Sequence, residues 1–320
     1  MPKPKIYIDG QEGTTGLQIY DRLAQRDDIE LLLIDPAKRK DAAERKKLLN
    51  AADLCFLCLP DTAAVEAVSL IENSRTKVID ASTAHRTAPG WVYGFPELHT
   101  QRERIRTAQR VANPGCYATG FISLVRPLVE SGLLDPASSL TCHALSGYTG
   151  AGKKAIAQYG DPDRDKELDS PRHYAVGLAH KHLPEMTAQC GLEHPPIFFP
   201  IICDFPQGMV VSVGLPFRQL KGEQSIDSLR ALYADYYRGS PVVELRPADA
   251  PACGFIGANN LEGKDTLQIF VCGNGEQLAL FSRLDNLGKG ASGAAVQNMD
   301  LMLGFPETAG LVLRQRSCDI

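Results

Sequence analysis

Lys5-Ile6-Tyr7-Ile8-Asp9-Gly10-Gln11-Glu12-Gly13-Thr14-Thr15-Gly16-Leu17 is the stretch that decides the fold. Its first five residues read as a short buried strand. Three glycines follow, and from Leu17 to Arg26 helical spacing puts Leu17, Tyr20 and Leu23 on one face. The same alternation continues outward. Ile29 to Ile34 reads as a second strand ending at Asp35-Pro36, Ala42 to Ala52 as a helix, and Leu54 to Leu59 as a third strand stopped by Pro60. Thr62 to Asn73 reads as a helix and Lys77 to Asp80 as a fourth strand. Strands that alternate with helices pair in parallel through right-handed crossovers, so the expected fold class is α/β, a Rossmann-type doubly wound parallel sheet.

In such a sheet the first strand–helix turn is where a dinucleotide binds. Gly10, Gly13 and Gly16 let the backbone turn tightly and bring N–H groups near a pyrophosphate, which also meets the positive end of the helix. The spacing G-x-x-G-x-x-G departs from G-x-G-x-x-G, and without its context an ordinary turn explains it equally well. At the end of the second strand Asp35 stands where an acidic residue binds the adenosine ribose. Lys38-Arg39-Lys40 follow, either as a solvated charge run or as partners for the additional 2′-phosphate of NADP, the cofactor expected here.

Composition narrows the classes of function. The 320 residues are 44% hydrophobic and 22% charged, which fits about two globular domains. A net charge of −4 argues against a chain held to nucleic acid by a basic face. No apolar run approaches the roughly 18–20 residues that cross a bilayer, and no signal-peptide core follows the N-terminus, so the expected location is the cytoplasm. The nine cysteines are then expected to be reduced and mostly buried. Cys55 and Cys58 form a C-x-x-C pair inside a strand, where residues three apart face opposite ways, so neither a disulfide nor a metal is expected of them.

The chemistry centres on Asn113-Pro114-Gly115-Cys116-Tyr117-Ala118-Thr119-Gly120. Pro114 and Gly115 force a turn, and Tyr117 to Glu130 has helical spacing that Pro127 would kink or shorten. Cys116 therefore falls at a helix N-terminus. There the helix dipole and a neighbouring imidazolium lower a thiol from its usual pKa of about 8.5 and make it a nucleophile. The alternative is a buried capping cysteine.

This octapeptide resembles the active-site signature of N-acetyl-γ-glutamyl-phosphate reductases of the arginine biosynthetic pathway, relatives of the aspartate-semialdehyde dehydrogenases. Further matches run along nearly the whole chain: Gly10 to Gly16, Asp80-Ala81-Ser82-Thr83-Ala84-His85-Arg86, Ser146 to Gly152, His180-Lys181-His182-Leu183-Pro184-Glu185-Met186 and Leu284 to Met299. The short glycine loop resembles the shorter, second type of this reductase. At Thr83-Ala84-His85-Arg86 longer relatives carry Ala-Asp-Phe-Arg; Arg86 is kept as the equivalent.

The resemblance implies that NADPH reduces N-acetyl-γ-glutamyl phosphate to N-acetylglutamate γ-semialdehyde with release of phosphate. Cys116 thiolate attacks the acyl phosphate, and the thioester left behind accepts hydride more readily than a carboxylate would. Of the two histidines in His180-Lys181-His182, which share a face in extended chain, His182 is favoured as the acid/base and His180 is retained. Glu185 either orients the imidazole or caps the helix after Pro184. Cofactor contacts are implied at Thr14, Thr15, Pro60, Ser82 and Asn286. Substrate contacts are implied at Arg86, Asn113, Ser146, Gly147 and Lys153, with the Ser146–Gly152 turn supplying N–H groups and lysine charge to a phosphate. A metal at His180 and His182 would need a third ligand such as His173, and no compelling set completes it, so none is expected.

The remaining segments, Ile197 to Ile202, Met209 to Leu215, Leu267 to Val271 and Gln277 to Arg283, are β-rich. They predict an α+β catalytic and dimerisation domain with a large mixed sheet. The expected domains are an NADP-binding domain of residues 1–115 and 288–320, and a catalytic domain of residues 116–287. The partners expected are a small-molecule substrate and, by analogy with relatives, further copies of the chain in a dimer or tetramer; nucleic acid and membrane are not expected. Two alternatives remain. One is a reductase of the same class acting on aspartyl phosphate or a carrier-linked aminoadipyl phosphate. The other is a non-catalytic dinucleotide sensor.

Overall fold

The structure, a computed structural model, describes residues 2–247 and 254–315. They form two compact units, one of residues 2–115 and 291–311 and the other of residues 116–290 and 312–315. Residues 312–315, read above as part of the first domain, go with the second unit. Val312 and Asp265 exchange hydrogen bonds there, and Arg314 donates to Glu244.

The first unit is built on β1 (Lys5–Asp9), β2 (Glu30–Leu32), β3 (Leu54–Leu57), β4 (Lys77–Asp80), β5 (Val92–Tyr93) and β6 (Arg110–Ala112). All pair in parallel, in the order β2-β1-β3-β4-β6-β5. The sheet is covered on both faces, which is why its strands read as continuous apolar runs. Ile6 and Ile8 pack on one face with Ile19 and Leu23 of α1 (Thr14–Leu23). Tyr7 packs on the other with Leu49 of α2 (Ala42–Ala51) and Ala67 of α3 (Asp61–Ser69). Asp41 caps α2 by accepting the Ala43 and Glu44 N–H groups. Cys55 belongs to the second cluster and Cys58 packs against the first, so the two sulfurs lie on opposite faces as their spacing predicts. A short α4 (Gln101–Thr107) precedes β6.

The second unit begins with α5 (Cys116–Glu130), which continues past Pro127. The proline removes the N–H that would bond the Ser123 carbonyl, and the Tyr237 hydroxyl donates to that carbonyl instead at 2.8 Å. The expected shortening is thereby avoided. Seven strands follow: β7 (Thr141–Gly147), β8 (Arg172–His173), β9 (Ile197–Cys203), β10 (Met209–Pro216), β11 (Val243–Leu245), β12 (Leu267–Gly273) and β13 (Gln277–Leu284). Their order is β11-β12-β13-β10-β7-β9-β8, with β7/β9 and β11/β12 parallel and the rest antiparallel. Helices α5, α7 (Leu183–Cys190) and α8 (Ile226–Tyr236) lie with this sheet, and α6 (Lys153–Gly160) follows β7. A Cβ on Gly120 would run into Val211 of β10, so glycine is what lets α5 lie close on the strands. On β7, Cys142, Ala144 and Ser146 are buried while His143 and Leu145 are exposed, which leaves part of one sheet face open. The last helix, α9 (Gly293–Leu303), belongs to the first unit and packs with β1 and α1.

Candidate active site

In the first unit the glycine loop closes as a tight turn. Gly10 has φ +88°, and a Cβ there would overlap the Cys58 carbonyl; a Cβ on Gly16 would overlap the Gly10 carbonyl. The Gly13 N–H donates to the Gly10 carbonyl at 3.0 Å, and Gly13 opens α1 without a capping side chain. The first-turn amides, those of Thr14, Thr15 and Gly16, are thus presented at a helix N-terminus, the arrangement that binds a pyrophosphate.

Beside this loop lies a cavity of about 920 Å³ lined by Gly10, Gln11, Glu12, Leu33, Ile34, Leu59 and Ala63, with Arg39 and Lys40 among its cations. Its size fits a nucleotide. Arg39 pairs with Glu12 of the glycine loop at 3.1 Å. The structure redistributes the neighbouring expectations. Lys38 turns to Glu44 at 3.5 Å, and Lys40 lines the cavity instead. Asp35 accepts the Ala37 N–H at 2.9 Å and caps a 3₁₀ turn over Pro36–Lys38, so its carboxylate serves the turn. Pro60 caps α3 beside Leu59 of the lining. The Ser82 hydroxyl donates to Asp80 at 2.7 Å rather than facing outward.

Asp80 also takes the His85 ring at 2.6 Å, and His85 stacks on Trp91 at 4.0 Å between centroids. This fixes the 80–86 segment. Arg86 is buried and donates to the Asn113 carbonyl at 3.0 Å and the Ala81 carbonyl at 3.2 Å. Asn113 donates to the Ala291 carbonyl and accepts from Asn298, so its amide holds the scaffold in front of the cysteine turn.

In the second unit Cys116 is the first residue of α5 and is half-buried. Gly290 lies against it: a Cβ there would stand 2.8 Å from the Cys116 Cβ and 2.9 Å from the Asp285 carbonyl. Tyr117 sits at the centre of a cluster of rings, with centroids 5.6 Å from His180, 5.9 Å from His182, 6.4 Å from Tyr174 and 5.2 Å from Phe198. Burial pushes the Tyr117 and Tyr174 hydroxyls upward in pKa, and negative charge on nearby Cys116 adds to this; side-chain hydrogen bonds join Tyr117 to Tyr174 and Ser146. The His180 Nδ1 accepts the His182 backbone N–H at 3.1 Å. The proton of a neutral His180 ring is therefore on Nε2, which faces the Tyr174 hydroxyl at 3.4 Å. His180 is part-exposed, whereas His182 is 5% exposed and starts α7. Glu185 lies buried in the first turn of α7.

The turn after β7 differs from the expected amide cradle. The N–H groups of Gly147, Tyr148 and Thr149 donate to the carbonyls of Gly208, Phe205 and Pro206. A phosphate arriving there meets the exposed Lys153 and Lys154 rather than those amides. Asn286 donates to Thr149 at 3.1 Å and accepts the Gly208 N–H at 2.8 Å, so it ties this turn to the 206–208 segment. The sequence reading assigned no role to Tyr174, Gly290 or Arg45. Each draws its meaning from a neighbour distant in the chain, Tyr117, Cys116 and Asp9 respectively.

Residues 5–108 match the semialdehyde dehydrogenase NAD binding domain, and residues 116–286 match the semialdehyde dehydrogenase dimerisation domain. The chain is 50% identical to N-acetyl-gamma-glutamyl-phosphate reductase 2 of Nostoc sp., over 97% of this chain and 100% of that one. It is equally identical to the N-acetyl-gamma-glutamyl-phosphate reductase of Sinorhizobium fredii, over 94% and 99%. Among solved structures, the aspartate semialdehyde dehydrogenase II of Vibrio cholerae superposes with a TM-score of 0.72 at 14% identity, over 95% of this chain and 99% of that one, a likeness of fold. With half of its residues shared along almost the full length of proteins of one name, the chain belongs to the N-acetyl-γ-glutamyl-phosphate reductases of the semialdehyde dehydrogenase family.

Proposed function

We propose that this protein catalyses the NADPH-dependent reduction of N-acetyl-γ-glutamyl phosphate to N-acetylglutamate γ-semialdehyde and phosphate, a step of arginine biosynthesis. The observation that carries the reading is Cys116 at the start of α5, followed by Tyr117, whose ring lies among those of His180, His182 and Tyr174, in a chain whose relatives bear this name.

The Cys116 thiolate attacks the acyl phosphate carbonyl, phosphate leaves, and a thioester remains on sulfur. NADPH, held by the Gly10–Gly16 loop and the Arg39 and Lys40 cations, would supply hydride to that thioester. The resulting thiohemiacetal oxyanion is met by the Cys116 backbone N–H at the helix start, and its collapse releases the aldehyde and restores the thiolate. We favour His180 as the acid/base, because its ring is part-exposed whereas His182 is buried; proton uptake at Nδ1 displaces the His182 N–H that this atom accepts at rest. This exchanges the roles expected from sequence. Tyr174 holds the Nε2 side of His180, and Glu185 supports α7 beneath it. Ser146 and Lys153 serve the substrate's phosphate, whereas Arg86, expected to bind substrate, spends its Nε and Nη2 on the Asn113 and Ala81 carbonyls and holds the 80–86 segment. Asn113, Asn286 and Gly147 hold the backbone around them.

Residues 2–115 with 291–311 take the NADP and residues 116–290 the substrate. The open face of the second sheet, with exposed Leu145 and Ile197, supports self-association into a dimer or tetramer. No helix among the described residues is long and apolar enough to cross a membrane. The cytoplasm is the proposed location.

The test is phosphate-dependent NADP reduction by N-acetylglutamate semialdehyde, compared with aspartate semialdehyde and the carrier-linked aminoadipate semialdehyde. N-acetylglutamate semialdehyde should be the fastest by orders of magnitude, and Cys116→Ala should abolish turnover. Turnover retained by C116A, or a faster rate on another semialdehyde, would overturn the reading.

A further inference from the structure

The glycine loop and the cations after β2 leave part of the first unit's cavity unexplained. In its wall Asp9, the last residue of β1, holds Arg45 of α2 through Nη2 at 2.9 Å and Nε at 3.1 Å. Asp9 and Arg45 are buried, and Arg45 Nη1 reaches Glu66 of α3 at 3.5 Å. All three line the cavity. Buried charge is costly unless paired, and here it is paired at the wall of a cavity rather than inside the core.

The charges of the wall form two groups. Where Arg39 and Lys40 meet Glu12, cations exceed carboxylates. Where Arg45 meets Asp9 and Glu66, carboxylates exceed cations. The wall also includes the apolar side chains of Leu33, Ile34, Leu59 and Ala63. The first end suits a phosphate. The second repels one and attracts a hydrogen-bond donor. A flat base between them matches a 2′-phosphorylated adenosine with its 6-amino edge at the carboxylate end.

On the reading of NADP as cofactor, we infer that Glu66 is a specificity residue for the base: its carboxylate accepts from the 6-amino group of adenine, and the Asp9–Arg45 pair holds it in place. Arg45 bridges the two carboxylates, so Glu66 is positioned by a buried anchor although its own side chain is 55% exposed. A 6-oxo purine presents an acceptor to that carboxylate and is rejected.

The experiment measures binding of NADPH and of reduced nicotinamide hypoxanthine dinucleotide phosphate to the full-length wild-type protein and to Glu66→Gln, by nicotinamide fluorescence, with a thermal melt of each protein. Wild type is expected to bind the amino form about tenfold more tightly, the size of one hydrogen bond to a charged group. In E66Q, whose amide can serve either edge, the two affinities should fall within about threefold while the melt stays unchanged. Equal binding of both forms by wild type, or a preference that survives in E66Q, overturns the assignment. Failure of wild type to bind NADPH at all would instead overturn the cofactor reading beneath it.

Discussion

Gly290→Ala tests whether the position of Cys116 is set by the backbone that lies against it. The added methyl would stand 2.8 Å from the Cys116 Cβ and 2.9 Å from the Asp285 carbonyl oxygen. Carbon atoms rest at about 3.5–4.0 Å, so the cysteine turn or the 288–290 segment must yield by roughly 1 Å. Overpacking of this kind costs about 1–3 kcal/mol, a fall of several degrees in Tm. The effect on rate should be larger, because a misplacement of about 1 Å at a reacting centre costs on the order of 10²-fold. Gly160→Ala is the control, since nothing lies within 4 Å of a Cβ there. The assay pairs kcat for phosphate-dependent NADP reduction with a melt and the rate of iodoacetamide reaction at Cys116. A folded G290A enzyme within twofold of wild-type kcat would refute the reasoning, as would equal losses in G160A.

Three other outcomes are expected. His180→Asn should lower kcat by about 10²–10⁴-fold with little change in Tm, whereas His182→Asn, at a buried site, should lose stability first; melts and kcat values of both variants decide the matter, and a well-folded H182N with the greater loss of kcat would reverse the roles. Iodoacetamide at pH 7.5 should label Cys116 and spare Cys55, Cys58, Cys142, Cys190, Cys203 and Cys272, because burial pushes those thiols upward, Cys58 to about 12. Since a raised thiol pKa keeps the unreactive protonated form as pH rises, the selectivity should persist at pH 9, as peptide mass spectrometry will report. Tyr237→Phe leaves the Ser123 carbonyl without its donor beside Pro127 and should cost about 1–3 kcal/mol in denaturant unfolding without altering KM.

The parallel sheet was legible because β1, β3 and β4 are apolar runs separated by helix-length segments, a pattern that buried parallel strands impose. β7 was not, because its buried side carries Cys142, Ala144 and Ser146 while its exposed side carries Leu145, the reverse of the usual hydropathy. β5 and β8 are two residues long, too short for periodicity to register. Pro127 misled because its compensating donor, Tyr237, is over a hundred residues away. Of the candidate site residues, Cys116, His180 and His182 fall in local motifs that the sequence displays. Asp35 and Ser82 were read as ligand contacts, yet each spends its side chain on a neighbouring turn, an alternative that local sequence offers equally. Arg45 gave no signal, because its meaning depends on Asp9 being folded against it.

The central claim is that an acyl group is carried on Cys116. Mixing the enzyme with N-acetylglutamate semialdehyde and NADP in phosphate-free buffer should form one NADPH per competent site and then stop. Intact-protein and peptide mass spectrometry should find an N-acetylglutamyl group on the peptide containing Cys116, discharged when phosphate is added. NADPH formation in phosphate-free buffer as fast and as sustained as with phosphate, or an acyl group found on any other residue, would contradict the account.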